Sequence, residues 1–152
     1  MAYALTLHIL AAIVWVGGMF LAYVCLRPLA ASLFEPPQRL QLWCGLFKRF
    51  FVWVWGAVIL LPLTGHWMIA LLGGFKYAGT HVHIMLGTGY LMVLLFLHLY
   101  FAPFKRLKKA VETEDWPAGG KALNQIRQIV GINLALGVLT VINATGGRFF
   151  YG

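Results

Sequence analysis

A chain of 152 residues that is 61% hydrophobic and only 11% charged, with a mean hydropathy of +0.81, falls outside ordinary soluble domains, which are about a quarter charged because their surfaces face water. The excess of 12 Lys+Arg over 4 Asp+Glu fits basic loops against anionic lipid headgroups and is not read as a nucleic-acid footprint. Cys25 and Cys44 are too few and too far apart for a C-x-x-C site, and the length fits one domain.

Four runs are apolar over the roughly 20 residues a span requires. The first, Leu5 to Leu26, stops at Arg27-Pro28. It has no basic n-region and no small-residue cleavage site, so it reads as a retained helix and not a signal peptide. The second covers 50–72, follows Lys48-Arg49, closes at Gly73-Gly74, and contains Pro62, which is expected to kink it. The third covers 81–102 and is stopped by Pro103 and the cluster Lys105, Arg106, Lys108, Lys109. The fourth, 129–146, is expected to continue a helix that starts near Asp115-Trp116-Pro117, an N-cap with an early proline. The expected architecture is all-α, a single four-helix transmembrane bundle over residues 1–152, embedded in a lipid bilayer. Homo-oligomerisation is left open.

Loop charge sets the orientation. Arg27, Arg39, Lys48 and Arg49 lie between the first two spans with Glu35 alone against them. Lys105, Arg106, Lys108, Lys109, Lys121 and Arg127 lie between the last two, with Glu112, Glu114 and Asp115. The other side carries only Lys76 and Arg148. By the positive-inside rule both basic connections are cytoplasmic and both termini are periplasmic.

Orientation converts histidine positions into depths. His8, His66, His81 and His83 fall near the outer ends of their spans. His98 lies about 22 Å further along the third helix than His83, at 1.5 Å per residue, and so near the inner face. Polar side chains within spans are costly and usually face a bundle interior or a functional cavity. His8, Trp15 and Met19 return to one face of the first helix within about 20°. A histidine from each of two helices at one depth is what a bis-imidazole haem requires. This points to one haem b per chain with His8 and His83 on the iron, His66 as the alternate, and Trp15 on the His8 face. Thr64, Thr80, Thr88 and Asn143 are the polar residues at a depth where they could hold the second ring nitrogen. His81 points about 200° away from His83 and reads as interfacial. His98 reads equally as a packing or headgroup contact, with Met19 as its axial partner in a second, inner site. Each histidine also has a structural reading, as a hydrogen-bonding residue between helices.

Several stretches resemble the CopD-like family of small bacterial membrane proteins: Leu7-His8 with Trp15-Val16-Gly17-Gly18, Leu26-Arg27-Pro28, Phe50 to Trp55, His83-Ile84-Met85, and His98-Leu99-Tyr100-Phe101-Ala102-Pro103. The resemblance runs over almost the whole chain and implies a multi-pass protein of the bacterial inner membrane linked to copper resistance or uptake. The first helix is also similar, through His8, Trp15 and Gly18, to the HemJ-like haem-binding protoporphyrinogen oxidases, which would make His8 an axial ligand. The third helix departs from that pattern, with Met85 near the position of a lysine.

Three functions follow as expectations: a b-type cytochrome with an unassigned redox partner, copper handling at an outward-facing site of His8, His66, His81, His83 and Met85, or oxidation of protoporphyrinogen at a haem. Imidazole and thioether both suit copper. No acid lies within a span and no nucleophile–base set is present, which argues against hydrolysis.

Overall fold

The computed structural model describes residues 1–151, and every regular element among them is helical. Helix α1 covers Ala2–Leu33 and α2 Pro36–Leu71. After a short 3-10 turn, Phe75–Tyr77, come α3 (Thr80–Phe101), α4 (Pro103–Glu112) and α5 (Trp116–Phe150). The four spans are therefore present; α4 is the inner continuation of α3.

The helices outrun the apolar runs at the basic end. The connection between the first two spans, a stretch of more than 20 residues in the sequence, reduces to Phe34 and Glu35 in extended conformation. Glu35 directly precedes Pro36, which disfavours a helical conformation for it, and Pro36-Pro37 supply the first turn of α2, where a missing N–H costs nothing. Pro28 does not end α1. The stretch just before it, Leu21–Leu26, is π-helical, with the Arg27 N–H bonding the Ala22 carbonyl. That widening gives room for a ring that would otherwise clash with the carbonyl four residues back. α2 likewise continues through Pro62. The start of α5 is as the sequence indicates: the Asp115 carboxylate accepts from the Ala118 N–H at 3.3 Å. α4 buries Phe104, Leu107 and Ala110 and exposes Lys105, Arg106 and Lys109, an amphipathic helix lying against α5.

Packing falls into two pairs, α1 on α2 and α3–α4 on α5. At Gly18 an added Cβ would collide with the Phe50 ring, so glycine there lets α1 and α2 close up. At Gly137 of α5 it would lie 2.9 Å from Val16 and 3.2 Å from Met92, so this residue admits side chains from both α1 and α3. Between the pairs an aromatic core fills the basic half of the bundle. Phe51 sits at its centre, 4.9 Å from Phe104 and 5.4 Å from Phe96, both edge-on. Trp15 meets Phe96 edge-on at 6.3 Å. Such pairs add about 0.5–1.5 kcal/mol each beyond area burial. The outward surfaces carry Leu10, Ile13, Ile59, Leu63, Leu94 and Leu139, all exposed, as lipid contact demands.

Candidate functional site

The histidine end of the bundle is where polar chemistry enters the apolar helices. His8 donates from Nδ1 to the Thr64 hydroxyl on α2 at 2.8 Å. The direction follows from the next link: the Thr64 hydroxyl spends its one proton on the Leu60 carbonyl at 2.6 Å, so its oxygen accepts from the ring. Thr64 itself is only 3% exposed. Gly65 lies beside the imidazole, where an added Cβ would stand 3.5 Å from His8 Cε1.

His66 and His83 repeat the arrangement within their own helices. His66 Nδ1 donates to the Pro62 carbonyl at 2.8 Å, and His83 Nδ1 to the Gly79 carbonyl at 3.1 Å. Carbonyls only accept, so in the neutral form all three rings carry their proton on Nδ1 and a lone pair on Nε2. Metal-bound imidazoles are generally held this way, with the second nitrogen on an oxygen partner. At His66 that lone pair faces the Tyr90 hydroxyl at 3.4 Å, a long bond.

The three rings do not form one cluster. Thr64 and His66 are two residues apart, about 200° around α2, so His8 lies on one side of that helix and His66 on the other. His66 and His83 are related through Phe75, whose ring is 6.0 Å from the first imidazole and 6.3 Å from the second. His83, Gly87, Tyr90, Leu94 and His98 form a continuous exposed stripe along α3. Nothing lies within 4 Å of an added Cβ at Gly87, so this glycine marks open space and not close helix packing. The α2–α3 side, where the two helices touch sparsely, is thus a lipid-facing groove carrying His66, Phe75, Tyr90, His83 and Gly87.

The remaining sequence-derived residues are dispersed. Trp15 and Met19 are both 3% exposed and packed into the core. His98 is exposed at the other end of the α3 stripe, whereas Met19 is buried. His81 is fixed to α5, its carbonyl accepting from Asn143 Nδ2 at 2.7 Å with its Cβ against Gly147. Met85 lies about 200° around α3 from His83. Of the four polar residues singled out for the second ring nitrogen, Thr64 alone bonds a histidine ring; Thr88 instead accepts from Thr140 at 2.9 Å. Among the described residues, no group of three or more His, Cys, Asp or Glu is close enough to hold a metal ion. Two contributors escaped the sequence. Tyr90 lies seven residues after His83, a same-face spacing that was available, whereas nothing marked Phe75 in its turn.

Imidazoles on different helices with Nδ1 anchored are donors of a type that suits either copper or haem iron. No curated protein and no solved structure matches the chain. The family described as copper resistance protein D matches residues 44–146, a stretch that includes His66, His81, His83 and His98 and leaves out His8, Trp15 and Met19. With four helices long and apolar enough to cross a membrane and a match over most of its length, this chain is a multi-pass membrane protein belonging to the CopD family.

Proposed function

We propose that this protein handles copper at the outward face of the bacterial inner membrane, through imidazole Nε2 atoms held at one level of the bundle. The observation that supports this most is the threefold repetition at His8, His66 and His83: Nδ1 on an oxygen, Nε2 carrying the lone pair. Imidazole is a good copper ligand, and membership of the family described as copper resistance protein D supports copper as the metal. Separate imidazoles, in place of a closed cage, favour exchange over storage, because transfer needs binding weak enough to release. His66 and His83 are the pair in the groove, with Tyr90 displaced from His66 when metal binds, and His8 is a further station on the α1 side of α2. The orientation follows from the loop charges, with the histidine end away from the basic end.

A second reading is favoured by the open space at Gly87 beside His83. On that reading two of the same imidazoles would hold one haem b, with the sequence-derived pair His8 and His83 the first choice and His66, which shares the α2–α3 side with His83, the alternate. A bound haem would supply one-electron transfer to a redox partner. Metal analysis with a reduced-minus-oxidised spectrum of detergent-purified protein separates the two. Between one and two bound coppers per chain, lowered by His66→Ala and His83→Ala, agree with the first reading. Stoichiometric haem and no copper overturns it in favour of the second.

A further inference from the structure

At the opposite end of the molecule, where α1, α2 and α5 meet, lies a cavity of about 320 Å³ that the histidine chemistry does not use. Arg27, Arg39 and Arg127 line it together with Tyr23, Trp43 and Trp116, and no carboxylate belongs to its walls. We propose that this cavity binds the phosphate headgroup of an anionic phospholipid from the inner leaflet.

The arginines come from three helices and keep most of their donors free. Arg27 spends Nε on the Tyr23 carbonyl at 3.2 Å, and its guanidinium lies 4.5 Å from the Tyr23 ring centroid. Its two Nη groups are thereby left as a planar fork, the geometry that matches phosphate oxygens. Arg127 spends one Nη on Asn124 Oδ1 at 2.7 Å. Three like charges around a small, partly apolar space repel one another unless an anion joins them.

The backbone is shaped for this arrangement. The π-helical stretch Leu21–Leu26 contains Tyr23 and runs directly into Arg27. The extra residue in its turn rotates everything after it, and such bulges often occur at functional sites. On α5, Gly131 faces Tyr23, where an added Cβ would lie 3.0–3.1 Å from the ring. Glycine at that position lets the ring stand under the guanidinium.

Depth and lining select a lipid over a soluble anion. Arg27 directly follows the first apolar run and Arg127 comes just before the fourth, separated from it by Gln128, so both lie at the boundary of one leaflet. Below them the cavity wall continues as Ala22, Phe47 and Val130, apolar side chains that suit the upper part of an acyl chain. With no His, Cys or Met in the lining, the cavity offers no metal ligand and is separate from the proposed copper chemistry.

The test uses the full chain purified in neutral detergent and exposed to mixed micelles with equal amounts of phosphatidylglycerol and phosphatidylcholine. Retained lipid is then counted by native mass spectrometry. We expect one phosphatidylglycerol retained per chain in preference to phosphatidylcholine by about tenfold or more, the ratio that one lost charge-assisted hydrogen bond already produces. The triple variant R27Q/R39Q/R127Q should lose that preference, while Arg49→Gln, whose side chain is bonded to the Gly45 carbonyl, should keep it. Equal retention of both lipids by the unmodified chain overturns the proposal, and that comparison stands even where the triple variant fails to fold. Full displacement of phosphatidylglycerol by inorganic phosphate also overturns it, by identifying a soluble anion as the ligand.

Discussion

Thr64 has one hydroxyl proton and gives it to the Leu60 carbonyl, which is why its oxygen can hold the His8 ring. Thr64→Val keeps the shape and removes the acceptor, leaving the His8 Nδ1–H without its partner. Loss of such a partner typically weakens metal binding by about 10–100-fold. With the groove histidines replaced, so that His8 is the remaining site, a chelator-competition titration should show that loss for Thr64→Val and near-native affinity for Thr64→Ser. Unchanged affinity in the valine variant would mean that His8 takes no part. Asn133 poses a different problem in the middle of the bundle. It is 2% exposed, its Nδ2 donates to the Met92 carbonyl at 3.2 Å, and its Oδ1 is buried without a partner. A single interhelical hydrogen bond in a membrane averages about 0.6 kcal/mol, while an orphaned buried acceptor costs about 1–3 kcal/mol. Asn133→Leu should therefore leave the thermal midpoint in detergent unchanged or raise it. A clear fall would show that the Oδ1 atom has an occupant that matters.

Among the elements, two glycines with the same sequence signature behave differently. Gly137 admits Val16 and Met92 between α1, α3 and α5, whereas Gly87 faces open space. Gly137→Leu should destabilise the bundle by about 1–3 kcal/mol through overpacking. Gly87→Ala should be neutral or stabilising by up to about 1 kcal/mol, since alanine is the better helix former. Thermal melting of both variants checks the contrast, and a destabilised Gly87→Ala would show that the groove is closed in the folded protein. Gly87→Leu adds a functional reading: it should exclude a haem from the groove and leave copper on His66 and His83. Neither glycine could be told from the other in the sequence, because small residues serve close packing and open clefts alike. The same limit applies to helix ends. Apolar runs located all four spans, but hydropathy reports the lipid-facing length only, so the continuation of α1 past Pro28 and the start of α2 at Pro36 were not legible. Asp115 was legible, because an N-cap followed by Trp116-Pro117 is a local signal independent of the membrane.

For the molecule as a whole, the four spans were legible and the rotation of each helix was not. Counting residues from each span end leads to the expectation of four histidines at one level, and under the positive-inside rule the charge asymmetry between Arg27–Arg49, Lys105–Arg127 and the opposite side would put that level outside. Reporter fusions after Tyr151 and Ala118 should report opposite sides, the first periplasmic and the second cytoplasmic; the reverse would place the histidines toward the cytoplasm. Which way each ring turns depends on tertiary packing, through Gly18 against Phe50 and through the aromatic core around Phe51. That packing turns His8 onto Thr64 of α2 and sets His83 on the exposed stripe with Tyr90. The measurement that tests the central claim most directly is copper and haem content of the purified full chain, with the His66→Ala/His83→Ala double variant beside it. The account predicts between one and two bound coppers per chain, no haem absorption, and loss of the groove copper in the double variant, with His8 holding what remains. Haem at one per chain with no copper, or copper unaffected by the double substitution, would contradict it.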